Sequence, residues 1–142
     1  MSDELKPMKA IDKSKWGDGP WQTEVDDDKW EYSGMNCRIR RGPLGALCGY
    51  VGVPASHPWF GKDYSDDGVD AYVHGGLTFA EKIKDDTEGL WWFGFDCAHQ
   101  GDLVPAMNEF SLGHRANDIY RGIWFVHNET NALAEQIAAV AS

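Results

Sequence analysis

The spacing of the apolar residues changes once along this chain. This change restricts the possible folds more than any other feature of the sequence. Near the C-terminus, an apolar residue or a threonine recurs alternately after four and three residues, as on one face of an α-helix. The positions are Ile119, Ile123, Val126, Thr130, Leu133, Ile137 and Val140. Earlier apolar residues occur in short runs typical of β-strands. The sequence therefore predicts an α+β fold, in which an antiparallel sheet of about five strands is followed by a C-terminal helix packed on it.

The predicted helix has a suitable N-cap residue in Asn117. Gly122 and several β-branched residues weaken its first half, so two shorter helices are an alternative. We expect the apolar stripe to cover one face of the sheet. In the alternative, the stripe pairs with a second copy across a dimer interface, so a homo-oligomer is possible.

Short segments in the middle of the chain have the composition and spacing of strands. They are residues 29–32, 36–41, 47–53, 69–74, 77–79 and 90–97. Ser33 and Gly34 join the first two as a hairpin, and Gly75-Gly76 indicates either a second hairpin or a kink. Gly49 and Gly52 indicate a close approach of another backbone, or a bulge. Charged residues 81–89 predict a surface turn.

The length of 142 residues allows one domain. Residues 1–29 are polar and contain helix breakers, so they predict an N-terminal arm before a single α+β domain over residues 30–142. Trp16 and Trp21 lie in this arm. Because exposed indoles are costly, we expect the arm to lie across the domain or a partner.

The chain is acidic, with a formal net charge of −10. This charge argues against direct nucleic-acid binding and against an anionic membrane surface, since both are negative. Three cysteines without CxxC spacing argue against a disulfide framework and a zinc ribbon. The charged start and the lack of a long apolar run predict neither a signal peptide nor a membrane span, so we expect a cytoplasmic protein.

Histidine and aspartate residues cluster at the ends of two predicted strands. Asp96, His99 and Asp102 follow the Trp- and Phe-rich segment, and His74 ends another segment just before Gly75-Gly76. Two imidazoles and two carboxylates suit a divalent metal such as Zn²⁺, Mn²⁺ or Fe²⁺, or an acid/base site. In the alternative, the aspartates cap turns and the histidines bond to backbone groups. The predicted burial of Cys97 argues against a cysteine nucleophile.

Arg38, Arg40 and Arg41 form the densest basic group in the sequence. Alternation places Arg38 and Arg40 on one strand face, pointing away from Cys37 and Ile39. Guanidinium groups beside the glycine-containing turn 42–45 predict an anion or phosphate site. The alternative is a solvated face paired with the nearby acids Asp26–Asp28.

The seven tryptophans are more than a chain of this length usually carries. We expect Trp30, Trp91 and Trp124 to fill the core. Trp59 lies in a loop rich in Pro and Gly, which predicts an exposed contact residue. Trp92 shares a strand face with Asp96, so it either lines a pocket or, as is commoner for such residues, fills the core.

Several motifs occur together in this chain: Leu47–Pro54, His57-Pro58-Trp59, an HGGLT motif at residues 74–78 and a WWFGFDCAHxGD motif at residues 91–102. With the tyrosine-led helix over residues 120–137, they resemble a family of small uncharacterised bacteriophage and prophage proteins. The family has no assigned activity, so the resemblance implies no catalytic residues. It implies a phage accessory protein in the host bacterial cytoplasm, of a kind that often counters host defence.

The first functional hypothesis is a binding antagonist of a host bacterial defence component. One version captures a small phosphorylated ligand, with pocket residues Arg38, Arg40, Arg41, His74, Trp92 and Asp96. The other covers a basic, nucleic-acid-binding surface of an effector, using the acids Asp26–Asp28, Asp63, Asp66, Asp67 and Asp70.

Two further hypotheses come from other classes. A metal-dependent hydrolase of a phosphorylated small molecule would hold its metal with His74, Asp96, His99 and Asp102. In that case Arg38 or Arg40 would hold the substrate phosphate. A structural or assembly protein would use the C-terminal stripe and the aromatic arm instead.

Overall fold

The computed structural model describes residues 11–110 and 118–141. The strands are β1 (Asp27–Tyr32), β2 (Met35–Arg41), β3 (Leu47–Val53), β4 (Phe79–Glu81) and β5 (Trp91–Asp96), and the helix is α1 (Ile123–Ala141). In the described residues, the five strands form one antiparallel sheet in the order β1-β2-β3-β5-β4. Helix α1 packs mainly against β2 and β3. The predicted α+β fold is therefore confirmed.

The strand register separates the two faces of the sheet. Cys37, Val51 and Phe93 are aligned across β2, β3 and β5, and they belong to the core that α1 covers. The neighbouring row, which contains Arg38 and Tyr50, points to the opposite face because side chains alternate along a strand. The predicted direction of Arg38 is therefore confirmed.

The first hairpin forms at the predicted turn. Ser33 and Gly34 both have positive φ angles, 53° and 76°, as a two-residue turn between twisted strands requires. Strand β1 begins at Asp27, so the predicted boundary at residue 29 falls inside a strand. Backbone pairing between β1 and β2 continues to Asp26, because the Arg41 N–H donates to the Asp26 carbonyl.

Helix α1 is one continuous helix that begins at Ile123, not at the start of the predicted stripe. Its buried positions include Val126, Leu133 and Ile137. Ile119 precedes the helix, forms a bridge with Asp102 and is 55% exposed. The predicted N-cap Asn117 lies outside the described residues.

The helix approaches the sheet closely at Gly49 in β3. A Cβ atom at this position would overlap the Thr130 hydroxyl of α1 and the ring of Phe95. At Gly52, a Cβ atom would lie 2.9 Å from the Trp92 indole. The two glycines therefore accommodate neighbouring side chains, whereas the sequence predicted an approaching backbone or a bulge.

The predicted strand over residues 69–74 is absent from the structure, in which this segment is irregular. Three of its backbone groups bond to side chains of α1 instead. The Tyr72 N–H and carbonyl both bond to the Gln136 amide, and the His74 N–H donates to Glu129. Gly75 and Gly76 then turn the chain with positive φ angles. Side chains of α1 thus make the hydrogen bonds that a neighbouring strand was expected to make with residues 69–74.

The predicted surface turn over residues 81–89 is partly buried. Ile83 and Leu90 pack with Tyr50 and Trp92 in a second core, on the face opposite α1. Asp85 is directed toward Arg38 in β2. The turn therefore covers part of a sheet face that α1 leaves uncovered.

The described part of the N-terminal arm, which begins at residue 11, lies across the domain, as expected. Trp16 and Trp21 are buried in a third cluster with Ala106, which Tyr120 also contacts. The Trp21 and Tyr120 rings meet edge to face at 5.0 Å. None of the described helices is long and apolar enough to cross a membrane.

Two tryptophan predictions are wrong. Trp124 lies on the outer side of α1 and is 74% exposed, whereas Trp59 is only 3% exposed. The loop around Trp59 folds inward, and its indole packs edge to face on Phe93 in the core. Trp30 and Trp91 are half-buried against the same core, as expected for core tryptophans.

Candidate functional site

Asp102 is the centre of the first candidate site. Its side chain has no exposed surface, and its carboxylate oxygens lie 2.8 and 3.0 Å from His74 Nε2. The backbone N–H of His99 and the Nε–H of Arg121 also donate to this carboxylate, each at 3.0 Å. Three different chain segments are therefore joined through one buried carboxylate.

The protonation of this centre follows from its contacts. Burial alone would raise the pKa of Asp102, but the hydrogen bonds from His74, His99 and Arg121 outweigh burial and lower that pKa. An ionised carboxylate only accepts hydrogen bonds, so Nε2 of His74 carries the proton. Asp102 thus fixes both the orientation of this imidazole and the position of its proton.

His99 and Asp96 form a second pair beside the first. His99 Nε2 lies 3.1 Å from Asp96 Oδ1, although their alignment is not that of a hydrogen bond. The His99 ring packs so closely on Gly75 that a Cβ atom there would overlap it. The His74 and His99 ring centres are 5.9 Å apart. The four residues predicted to converge do lie together.

Two further residues support this site, Arg121 and Glu129, and neither was predicted from the sequence. The Arg121 guanidinium binds Asp102 and lies 4.9 Å from the centre of the Phe125 ring. Glu129 accepts the His74 N–H. Phe125 and Glu129 are four residues apart on α1, and Arg121 continues this spacing although it precedes the helix. This spacing is the signal in the sequence for a second face. We call His74, Asp96, His99, Asp102 and Arg121 the Asp102 cluster.

The geometry of the Asp102 cluster does not support the predicted metal site. Both imidazoles face carboxylates through Nε2, at 2.8 Å for His74 and 3.1 Å for His99, and the His74 pair is aligned as a hydrogen bond. In residues 11–110 and 118–141, no group of three or more His, Cys, Asp or Glu is arranged to hold a metal ion. Burial also raises the pKa of the Cys97 thiol, which argues against a nucleophilic cysteine here.

Arg38 is held by carboxylates on two sides. Its two Nη atoms lie 2.8 Å from the Asp85 oxygens, and Asp27 accepts from Nε and Nη2 at 3.3 Å. Burial alone would lower the pKa of Arg38, but the two carboxylates outweigh it and raise that pKa. The guanidinium is thus already paired with two negative charges.

Arg41 is also enclosed, although alternation places it on the sheet face opposite Arg38. Its guanidinium bonds to Asp26 at 2.6 Å and to Glu24 at 3.3 Å. The Tyr120 hydroxyl and the Gly45 carbonyl accept from Nη1. Arg41 therefore links the N-terminal arm, the turn at Gly45 and the segment before α1 that contains Tyr120.

The three arginines do not form one anion site. Arg38, Arg40 and Arg41 are each at most 2% exposed, which excludes the solvated face of the alternative prediction. The pairing in that alternative is nevertheless present for Asp26 and Asp27. Burial and the neighbouring Arg38 lower the pKa of Arg40. Arg38 and Arg41 are therefore paired with carboxylates of the fold itself.

A second candidate site is a cleft of about 300 Å³ beside β1, which we call the Trp92 cleft. Its lining residues are Lys29, Trp30, Glu31, Asn36, Cys37, Arg38, Asp85, Asp86, Thr87, Glu88 and Trp92. Arg38 and Trp92 were both predicted to bind a ligand and do share this cleft. The other predicted ligand residues, including His74 and Asp96, are not among those that line it.

Comparison of the chain with protein-family models, curated proteins and solved structures found no match. The resemblance to phage and prophage proteins therefore stays a prediction.

Proposed function

We propose that this protein acts by binding a positively charged surface of another protein. The observation that carries the proposal is the pairing of Arg38 and Arg41, each of which is buried between two carboxylates. These positive charges are compensated inside the fold and are not presented to an anionic ligand. The net negative charge, formally −10, is therefore presented to a partner mainly by the exposed acids.

The exposed acids indicate where such a partner would bind. Asp67 and Asp70 are exposed in the loop after Trp59, and Asp28 is exposed in β1. Asp26 and Asp27, which the sequence analysis included among the contacts, bind Arg41 and Arg38 instead. The proposed contact surface is therefore smaller than the sequence predicted.

The resemblance to phage proteins gives this proposal its biological setting. A phage protein with an acidic surface would cover a basic, nucleic-acid-binding surface of a host bacterial defence effector. Complementary charge also accelerates such encounters and makes them sensitive to salt. The version with a small phosphorylated ligand has less support, because Arg38 and Arg41 are occupied.

Two measurements test this proposal. A labelled peptide rich in lysine and arginine should bind the full chain and should bind more weakly as salt rises. Asp67→Asn/Asp70→Asn should reduce that binding more than Asp18→Asn/Asp12→Asn, which removes the same charge from the arm. Native mass spectrometry of freshly purified protein should show no bound nucleotide. A nucleotide-sized adduct, or equal losses in both variants, would contradict the proposal.

A second candidate function is hydrolysis by acid/base chemistry at the Asp102 cluster. It is favoured by the contact between His74 and Asp102, because an imidazole that donates from Nε2 keeps a lone pair on Nδ1. That nitrogen can take a proton from an attacking water. Arg121, and not Arg38 or Arg40, would then lie beside a substrate phosphate.

Hydrolysis of p-nitrophenyl phosphate and its diester tests this second candidate. The assay compares the protein alone, with added divalent ions and with chelator. Turnover that persists in chelator and disappears in His74→Asn, at an unchanged unfolding midpoint, would support metal-free acid/base chemistry. Turnover that chelator abolishes would restore the predicted metal-dependent hydrolase. No turnover under any condition would exclude both for these substrates.

A further inference from the structure

We propose that the Trp92 cleft binds the charged end of an arginine or lysine side chain from the partner. This inference rests on the proposed function and names the group that the partner would insert. Its basis is the charge of the lining, which contains four carboxylates, Glu31, Asp85, Asp86 and Glu88, against two cations, Lys29 and Arg38. The lining therefore has an excess of two negative charges.

The pairing of Arg38 with Asp85 leaves this excess of two negative charges on the remaining lining residues. Arg38 is paired with Asp85 and with Asp27 of β1, which is not among the lining residues. Asp86 accepts from the Trp92 indole N–H, the Leu90 N–H and the Glu88 N–H, which are all neutral donors and bring no positive charge to it. A phosphate would be repelled by this lining, whereas a cation would be attracted.

Glu31 and Glu88 are the carboxylates free to receive that cation. Both are exposed, and within residues 11–110 and 118–141 neither side chain has a hydrogen-bond or ion-pair partner. They come from different elements, β1 and the turn before β5. The register places Glu31 opposite Asn36, on the same sheet face as Arg38. A guanidinium could therefore contact two carboxylates without breaking an internal pair.

The size of the cleft also fits one side chain. Its volume of about 300 Å³ is at the lower end of the range for small-molecule pockets. The Trp92 indole and the Asn36 amide complete the lining, so the site offers an apolar contact for a side-chain stem and a polar group. An arginine or lysine side chain has the matching combination of an apolar stem and a charged end.

An NMR titration of the ¹⁵N-labelled full chain tests this inference. The probes are N-acetyl-arginine amide, N-acetyl-lysine amide and N-acetyl-citrulline amide, the last being a neutral analogue of arginine. The two cationic probes should shift the amide signals of residues 29–31, 36 and 85–88, and those shifts should decrease with salt. The citrulline probe should leave these signals in place.

A pair of variants matched in charge separates this cleft from the rest of the acidic surface. Glu31→Gln/Glu88→Gln should weaken binding of the arginine probe roughly five- to tenfold. Asp67→Asn/Asp70→Asn removes the same charge elsewhere and should change it less than about twofold. Unchanged spectra of the unbound variants would show that both remain folded.

The results of these experiments distinguish a failure of the cleft assignment from a failure of the proposed function. Equal shifts with citrulline, or equal losses in both variants, would overturn the cleft assignment. If the basic peptide binds Glu31→Gln/Glu88→Gln as well as it binds the original protein, the proposed function stands and the cleft assignment fails. If neither the peptide nor the arginine probe binds the original protein, both proposals fail.

Discussion

The Asp102 carboxylate has no exposed surface and accepts hydrogen bonds from an imidazole, a guanidinium and a backbone N–H. Asp102→Asn would remove its charge and place an amide N–H₂ against one of these donors. We expect the free energy of unfolding to fall by about 3 kcal/mol, because the buried partners would lose their acceptor. Urea unfolding measures this loss.

The matched control for this variant is Asp67→Asn, which changes an exposed aspartate in a loop. Its unfolding free energy should stay within about 0.5 kcal/mol of the original protein. Equal effects in the two variants would mean that the buried hydrogen bonds of Asp102 contribute nothing specific.

The lowered pKa of Asp102 also predicts how stability depends on pH. The stabilisation from a carboxylate with a lowered pKa is fully present above the pKa of the unfolded chain, about 4. It is lost as pH falls through the lower pKa of the folded protein. The difference in unfolding free energy between the original protein and Asp102→Asn should therefore be constant from about pH 5 to pH 6 and shrink below about pH 4. A difference that grows on acidification would reverse the assigned direction.

At the level of single residues, the sequence predicted the residues around the end of β5 and missed those that come from α1 and from the segment before it. Asp96 ends β5, His99 and Asp102 follow it, and His74 joins them from an irregular segment through Asp102. Glu129 lies in α1 and Arg121 lies just before it, and the rotation of a helix about its axis cannot be read from the sequence alone. The opposite burial of Trp59 and Trp124 likewise depends on packing, not on local composition.

Among the elements, the strands with strong local patterns were predicted correctly and the one that depended on a partner was not. Residues 47–53 and 91–96 are aligned with neighbouring strands as expected. Residues 69–74 have a similar apolar composition, but their backbone bonds to Gln136 and Glu129 of α1. Hydrogen bonds to α1 therefore explain why residues 69–74 are irregular and do not form a strand.

The packing of α1 on the sheet gives a prediction at Gly49. Gly49→Ala would force a methyl group against Thr130 and Phe95, with a cost of about 1–3 kcal/mol in unfolding free energy. Thr130→Ala removes one of the two obstacles and also a buried hydrogen bond to the Val126 carbonyl. The double variant should therefore be more stable than the sum of the single effects, by about 1 kcal/mol. Denaturant unfolding of the four proteins gives this coupling, and strictly additive effects would contradict the close approach.

Over the whole molecule, the positive charges of Arg38, Arg41 and Arg121 are paired within the fold, while many acids remain outside. Lys13, Arg38, Arg41 and Arg121 each bind at least one carboxylate. The net charge does not reveal this pairing, because it has the same value whichever acids are paired. The homo-oligomer predicted from the helix stays a prediction, and native mass spectrometry would give the number of subunits.

The uncompensated acids predict how the stability of the whole molecule depends on salt. A net charge of −10 on a chain of 142 residues opposes compaction through self-repulsion, and salt screens this repulsion at the surface. Buried pairs such as Arg41 with Asp26 are screened much less. Raising NaCl from about 20 mM to about 300 mM should therefore raise the melting temperature. Asp67→Asn/Asp70→Asn should melt at a higher temperature than the original protein in low salt, and this difference should vanish in high salt. A melting temperature that falls with salt would mean that attraction between surface charges outweighs their repulsion.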